Sequence, residues 1–167
     1  MKFDLTEMIK IQEDLNKTIY ETQKIDWSTI KNQSHLCIVI ELMELCNETR
    51  CFNYWSKKTR SSDDVILEEF ADVLCFLVTE IIPLGIKSIE INESIKQENQ
   101  LSLTRRFHQL ILNYAELSID NPNTYKRFTE DLFNLGYALG YSLSQIWEAY
   151  LKKVQKNYKV QEDFKTK

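Results

Sequence analysis

Glycine and proline are scarce, with three Gly and two Pro in 167 residues. All-β folds spend many such residues on turns, so this scarcity favours helices. No uncharged apolar run approaches the ~20 residues that a membrane-spanning helix needs. Excess positive charge is also missing. A net charge of −4 argues against a surface that reads a nucleic-acid backbone. It leaves room for a phosphorylated small molecule bound through metal ions. Met1-Lys2-Phe3-Asp4 leads into mixed polar residues and does not read as a secretory leader, so the expected location is cytoplasmic. The four cysteines, Cys37, Cys46, Cys51 and Cys75, form no CxxC pair and sit inside apolar helical patterns. They read as reduced structural thiols rather than zinc ligands.

A composition of 43% hydrophobic and 28% charged residues is that of an ordinary globular protein. The length suits a single domain over residues 1–167 with a substantial core. No repeat or low-complexity segment interrupts it. Leu5, Met8, Ile11, Leu15 and Ile19 recur at helical spacing and predict a first helix over about 5–24. A second is expected over about 33–57. Ser61-Ser62-Asp63-Asp64 supplies start signals for a third over about 65–82, which Pro83 and Gly85 end. Residues 86–100 read as a long connection or a short extra helix. A fourth helix follows over about 101–117. Asn121-Pro122 opens a fifth that reaches about 139, where Gly140 breaks it. Ser142 and Gln145 form a capping box for a last helix to about 158, followed by a frayed tail over 163–167.

Two helices carry acids inside apolar runs. Residues 36–46 are apolar on every side apart from Glu41 and Glu44, and residues 70–78 enclose Asp72, with Glu69 one turn earlier. A helix that is apolar all round is expected to be buried, and a buried carboxylate is costly unless paired or metal-bound. Glu41 and Glu44 are three apart and share a face; Glu48 falls on the same stripe; Glu69 and Asp72 are also three apart. If the two helices pack antiparallel, four or five carboxylates converge. Like charges raise each other's pKa, and a divalent cation resolves that conflict. All-oxygen ligands favour Mg²⁺ or Mn²⁺ over zinc. The plainer alternative is that some of these acids are solvated or paired with lysines. A di-iron bundle would use Glu-x-x-His motifs. The only histidines, His35 and His108, have Asn32 and Arg105 three residues before them, so that motif is absent.

At these residues the sequence resembles the dimeric all-α dUTPases, within the all-α NTP pyrophosphatase (MazG-like) superfamily. The similarity starts at Gln12 and runs through residues 41–50, Phe52-Asn53-Tyr54-Trp55-Ser56-Lys57-Lys58 and residues 67–72. It resumes over residues 136–143 and ends at Ala149-Tyr150-Leu151-Lys152-Lys153 with Asn157 and Gln161. The paired ExxE and ExxD mark the superfamily. The Asn-Glu…Phe-x-x-Trp-Ser and Ala-Tyr-x-x-Lys…Asn blocks are more specific to the dUTPase branch.

The resemblance implies an all-α, dimeric helical bundle with a four-helix core around the metal site. It implies hydrolysis of dUTP, and of dUDP, to dUMP, with no nucleic-acid or membrane partner. By position, Glu41, Glu44, Glu69 and Asp72 resemble the metal ligands, and Glu48 a further ligand or an acid just outside them. Glu41 resembles the base that holds and deprotonates the attacking water. Gln12, Trp55 and Asn157 resemble nucleoside contacts, with Trp55 near the base. Lys57, Lys58, Lys153 and Lys159 resemble phosphate contacts. The chain departs from the family at Val160, where an Arg usually precedes the C-terminal Gln. An ammonium at Lys159 does not replace a bidentate guanidinium. Tyr137, Tyr141 and Tyr150 read as packing residues. The competing functions are a pyrophosphatase for another nucleotide such as dCTP, and a non-catalytic helical interaction protein on the same fold.

Overall fold

The computed structural model describes residues 1–115, 117 and 121–166. Six helices and one two-stranded ribbon appear among them. In chain order these are β1 (Lys2–Asp4), α1 (Thr6–Gln23), α2 (Trp27–Thr49), α3 (Asp63–Ile81), β2 (Ser88–Glu90), α4 (Gln100–Ala115), α5 (Pro122–Leu139) and α6 (Leu143–Lys165). The all-α expectation holds. The expected end of the fourth helix at 117 falls beside residue 116, which is outside the described residues, as is residue 167 of the expected tail.

The helix ends follow from local chemistry. Asp26 caps α2 by accepting the Ser28 backbone N–H at 2.9 Å, which starts the helix six residues earlier than the pattern of apolar residues suggests. α2 also stops earlier than expected, at Thr49 rather than near 57. There the Thr49 hydroxyl donates to the Cys46 carbonyl at 2.7 Å, and Arg50 turns left-handed with φ 54°. The Glu48 carbonyl accepts the Ser61 N–H at 3.0 Å, so the following loop folds back on the helix end. α6 keeps its capping box of Ser142 and Gln145 and continues to Lys165, so residues 163–165 of the expected frayed tail are helical.

Gly140 ends α5 at φ 98°, with its N–H returned to the carbonyls of Gly136 and Tyr137. An L side chain is strained in that conformation. A Cβ there would also stand 3.0 Å from the Gln97 side chain. Gly140→Ala is therefore expected to cost about 1–2 kcal/mol of stability. Urea unfolding checks this, and an unchanged midpoint would contradict it.

The segment over 86–100 holds a strand that sequence reading did not foresee. β2 pairs antiparallel with β1 in the register Lys2↔Glu90, Phe3↔Ile89 and Asp4↔Ser88. Strands of three residues are too short to show an alternating pattern.

α3 is the central helix and packs against α1, α2, α5 and α6. Ile66, Phe70, Val73, Leu74, Leu77, Val78 and Ile81 are all buried, as its all-round apolar sequence requires. α2 differs from that expectation. Ile38, Leu42 and Leu45 are buried, but Leu36, Ile40 and Met43 are 55%, 45% and 38% exposed. These three residues recur at helical spacing and form an exposed apolar stripe among the described residues. All four cysteines are free. His35 stacks on Tyr114 with ring centroids 4.7 Å apart, while His108 lies at the surface, so both stand away from the acidic cluster.

Candidate active site

Packing of α2 against α3 brings three acids together. One carboxylate oxygen from each of Glu41, Glu69 and Asp72 lies within 4.8 Å of the others. All three residues are half-buried. Glu69 and Asp72 reach the same point because residues three apart share a helix face.

Proximity and burial strain the ionised state. Glu41 is pushed from its ordinary 4.5 to about 7, first by burial and then by the charges of Asp72, Glu44 and Glu69. Glu69 is raised by burial, then by Asp72 and Glu44. Asp72 is raised by burial, although its hydrogen bond from Lys153 opposes this. The Lys153 ammonium lies 2.5 Å from Asp72 and 3.7 Å from Glu68. Burial lowers the Lys153 pKa, but these two acids outweigh it and leave a net rise. One ammonium facing three clustered carboxylates leaves an excess of negative charge. An all-oxygen set of this kind suits a hard divalent cation, and the residues present fit that group.

The cluster opens into a cavity of about 450 Å³. α1 contributes Gln12 and Asn16 to its wall, α2 contributes Ser34 and Glu41, α3 contributes Asp72, Phe76 and Thr79, and α6 contributes Lys153 and Asn157. A cavity that sets acids and amides in a largely apolar wall, with Ile19, Tyr20 and Trp27 among its residues, can hold a ring with polar edges and an attached phosphate chain. Lys153 also borders a second cleft of about 460 Å³ between α3 and α6, together with Lys152, Lys156 and Glu68.

The other residues singled out from sequence lie as follows. Glu44 is exposed and stands outside the group of three, although its charge reaches both Glu41 and Glu69. Glu48 is half-buried and accepts hydrogen bonds from the Ser61 hydroxyl and from Asn47 Nδ2. Gln12 is 2% exposed. Trp55, Lys57 and Lys58 are not brought to the cavity. α2 ends before them, and they sit on the exposed loop that follows. Trp55 is 66% exposed, against Phe52 and Tyr54. Lys159 is exposed on α6 and does not line the cavity.

Sequence reading missed Thr79, Phe76 and Ser34 as cavity residues and left Asn16 without a role. Two of these carry a legible signal. Asn16 lies four after Gln12, and Thr79 seven after Asp72, so each shares a helix face with a residue already singled out. Arg106 holds Glu98 through two hydrogen bonds of 2.8 and 2.7 Å, a structural pair remote from the acids.

No helix among the described residues is long and apolar enough to cross a membrane. No curated protein sequence matches the chain. The family model for dUTPase matches residues 4–163, nearly the whole length. That match joins a carboxylate cluster able to hold a metal ion to the activity of dUTP diphosphatases, and the chain belongs to the dUTPase family.

Proposed function

We propose that this chain hydrolyses dUTP, and dUDP, to dUMP with Mg²⁺ as its natural cofactor and Mn²⁺ as a substitute. Glu41, Glu69 and Asp72 hold the cation, with Glu44 and Glu48 adding negative charge or further ligands at its edge. The observation that carries this reading is the approach of three carboxylates to within 4.8 Å, two of which, Glu41 and Asp72, line a cavity that also holds Gln12 and Asn157. When bound, the cation neutralises phosphate oxygens and polarises water.

The protein's own groups do the rest. A carboxylate oxygen of Glu41 orients the attacking water and takes its proton. Lys153 holds Asp72 in place and presents positive charge to the phosphates. Gln12 and Asn157 contact the nucleoside. Trp55, Lys57, Lys58 and Lys159 stand outside the cavity of the single chain. Fixing the phosphate chain and excluding bulk water lowers the barrier without covalent participation by the protein.

A panel of dUTP, dCTP, dTTP and UTP with Mg²⁺ tests this reading. Pyrophosphate release is expected from dUTP well ahead of the other three. A preference for another nucleotide would discard the uracil assignment. Family membership favours an enzyme over a non-catalytic interaction protein.

The exposed stripe of Leu36, Ile40 and Met43 supports a homodimer, because adjoining apolar groups on one helix face favour burial against a second copy. Sedimentation equilibrium is expected to show a dimer for the wild type and a monomer for Ile40→Lys. A monomeric wild type would overturn this.

A further inference from the structure

Beyond the acids, a set of linked polar side chains beside the cavity forms a relay that runs from a fully buried hydroxyl. Tyr150 on α6 is 0% exposed and does not itself line the cavity. Its hydroxyl lies 3.0 Å from Gln12 Oε1 and 3.1 Å from the Met8 carbonyl. Gln12 Nε2 in turn donates to Asn16 Oδ1 at 2.9 Å. The Thr79 hydroxyl reaches the same Asn16 oxygen at 3.2 Å and also backs onto the Cys75 carbonyl at 2.9 Å.

A phenol has one proton to donate. The Met8 carbonyl sits inside α1, where the helical ladder supplies it with the N–H four residues on. Gln12 Oε1 has no other donor among the described residues, so the proton goes there. The amide of Gln12 is then fixed with its oxygen toward Tyr150 and its nitrogen toward Asn16. That places the Asn16 oxygen against Gln12 Nε2, with the single Thr79 proton shared between it and the nearer Cys75 carbonyl, and leaves Asn16 Nδ2 without a partner among the described residues, on a residue that lines the cavity. The wall at this point offers N–H donors.

We infer that Tyr150 is a positioning residue that sets the base preference of the site. Through Gln12 it holds Asn16 with its amide N–H groups toward the ligand, which selects a pyrimidine carrying a carbonyl at C4 over one carrying an amino group. This rests on the nucleotide reading proposed above. A carbonyl accepts from Asn16 Nδ2, whereas an exocyclic amine would face it donor to donor, with the buried groups of both left unpaired. The relay is blind to a methyl at C5, so rejection of thymine is not its work.

The test compares kcat and KM for dUTP and dCTP in the wild type and in Tyr150→Phe, with thermal unfolding as a check on folding. The dUTP:dCTP ratio of kcat/KM is expected to fall about tenfold in Tyr150→Phe, chiefly through KM for dUTP, because only the orientation of an amide is lost. An unchanged ratio in a folded variant would overturn the inference. Asn16→Asp decides the matter if Tyr150→Phe does not fold. It replaces the N–H donors with an acceptor and is expected to shift preference toward dCTP. An equal loss on both nucleotides would count against the relay. A wild type that hydrolyses dUTP and dCTP equally refutes the relay and spares the hydrolase. A wild type that hydrolyses neither, yet binds dUMP more tightly than dCMP, refutes the hydrolase and spares the relay.

Discussion

Glu41→Gln is expected to lower the rate of dUTP hydrolysis by about a thousandfold or more, the scale of losing a general base that also holds the cation. Glutamine keeps the size and polarity of the side chain but can neither take a proton nor add charge to the site. The same substitution is expected to stabilise the metal-free protein. Glu41 is pushed to about 7 because burial and three neighbouring acids oppose its charge. The folded state therefore holds a proton that the unfolded chain releases near the ordinary 4.5. Below that value both states are protonated and the protein keeps its full stability. As pH rises from 4.5 to about 7 the unfolded chain ionises first, and stability falls. Metal-free wild type is thus expected to melt lower at pH 8 than at pH 5, by a margin that Glu41→Gln reduces and that Mg²⁺ removes. Equal melting temperatures at the two pH values, with and without the substitution, would show that the acids do not repel one another.

Lys153→Met carries the second large effect. The lysine is the one cation within 4 Å of Asp72 among the described residues, and both side chains are only 15% exposed. Methionine fills a similar volume but leaves the Asp72 and Glu68 carboxylates without this partner. Removing one member of a fully buried pair costs roughly 3–5 kcal/mol. Here the partial exposure of the pair, and Lys156 remaining on Glu68, reduce the expected loss to about 1–3 kcal/mol in the absence of metal. Mg²⁺ is expected to restore part of that loss, because a cation at the cluster takes over the neutralisation of Asp72. Activity is expected to fall about a hundredfold even with saturating Mg²⁺, since charge facing the phosphates is lost. Denaturant unfolding with and without Mg²⁺ checks the first expectation, and pyrophosphate release checks the second. A variant as stable and as active as the wild type would remove Lys153 from the site.

The acidic cluster was legible because its residues break a strong local rule. Acids set in otherwise apolar helical runs stand out at Glu41 and Asp72, and spacing of three ties each to a second acid. Helix identity was equally legible, since caps at Asn121, Gly140 and Ser142 coincide with changes of pattern. The end of α2 was not. Apolar residues continue past Thr49, and it is a threonine hydroxyl and a left-handed Arg50 that turn the chain. This misplaced end is also why Trp55 was expected on a helix rather than in an exposed loop. The β1–β2 pairing was hidden because its partners lie about 86 residues apart, with three residues to each strand. The exposed face of α2 was hidden too, since an apolar stripe against solvent and one against a core read alike in sequence. The amide relay escaped notice for a different reason. Tyr150 meets Gln12 across 138 positions, and no local pattern reports a contact of that span.

The most direct measurement is pyrophosphate release from dUTP as Mg²⁺ is titrated into protein first stripped with EDTA. Activity is expected to be absent in the stripped protein and to rise with Mg²⁺ in the wild type, with Glu41→Gln remaining inactive throughout. Undiminished hydrolysis in EDTA, or a Glu41→Gln protein as active as the wild type, would contradict a carboxylate-bound cation at this cluster as the centre of the chemistry.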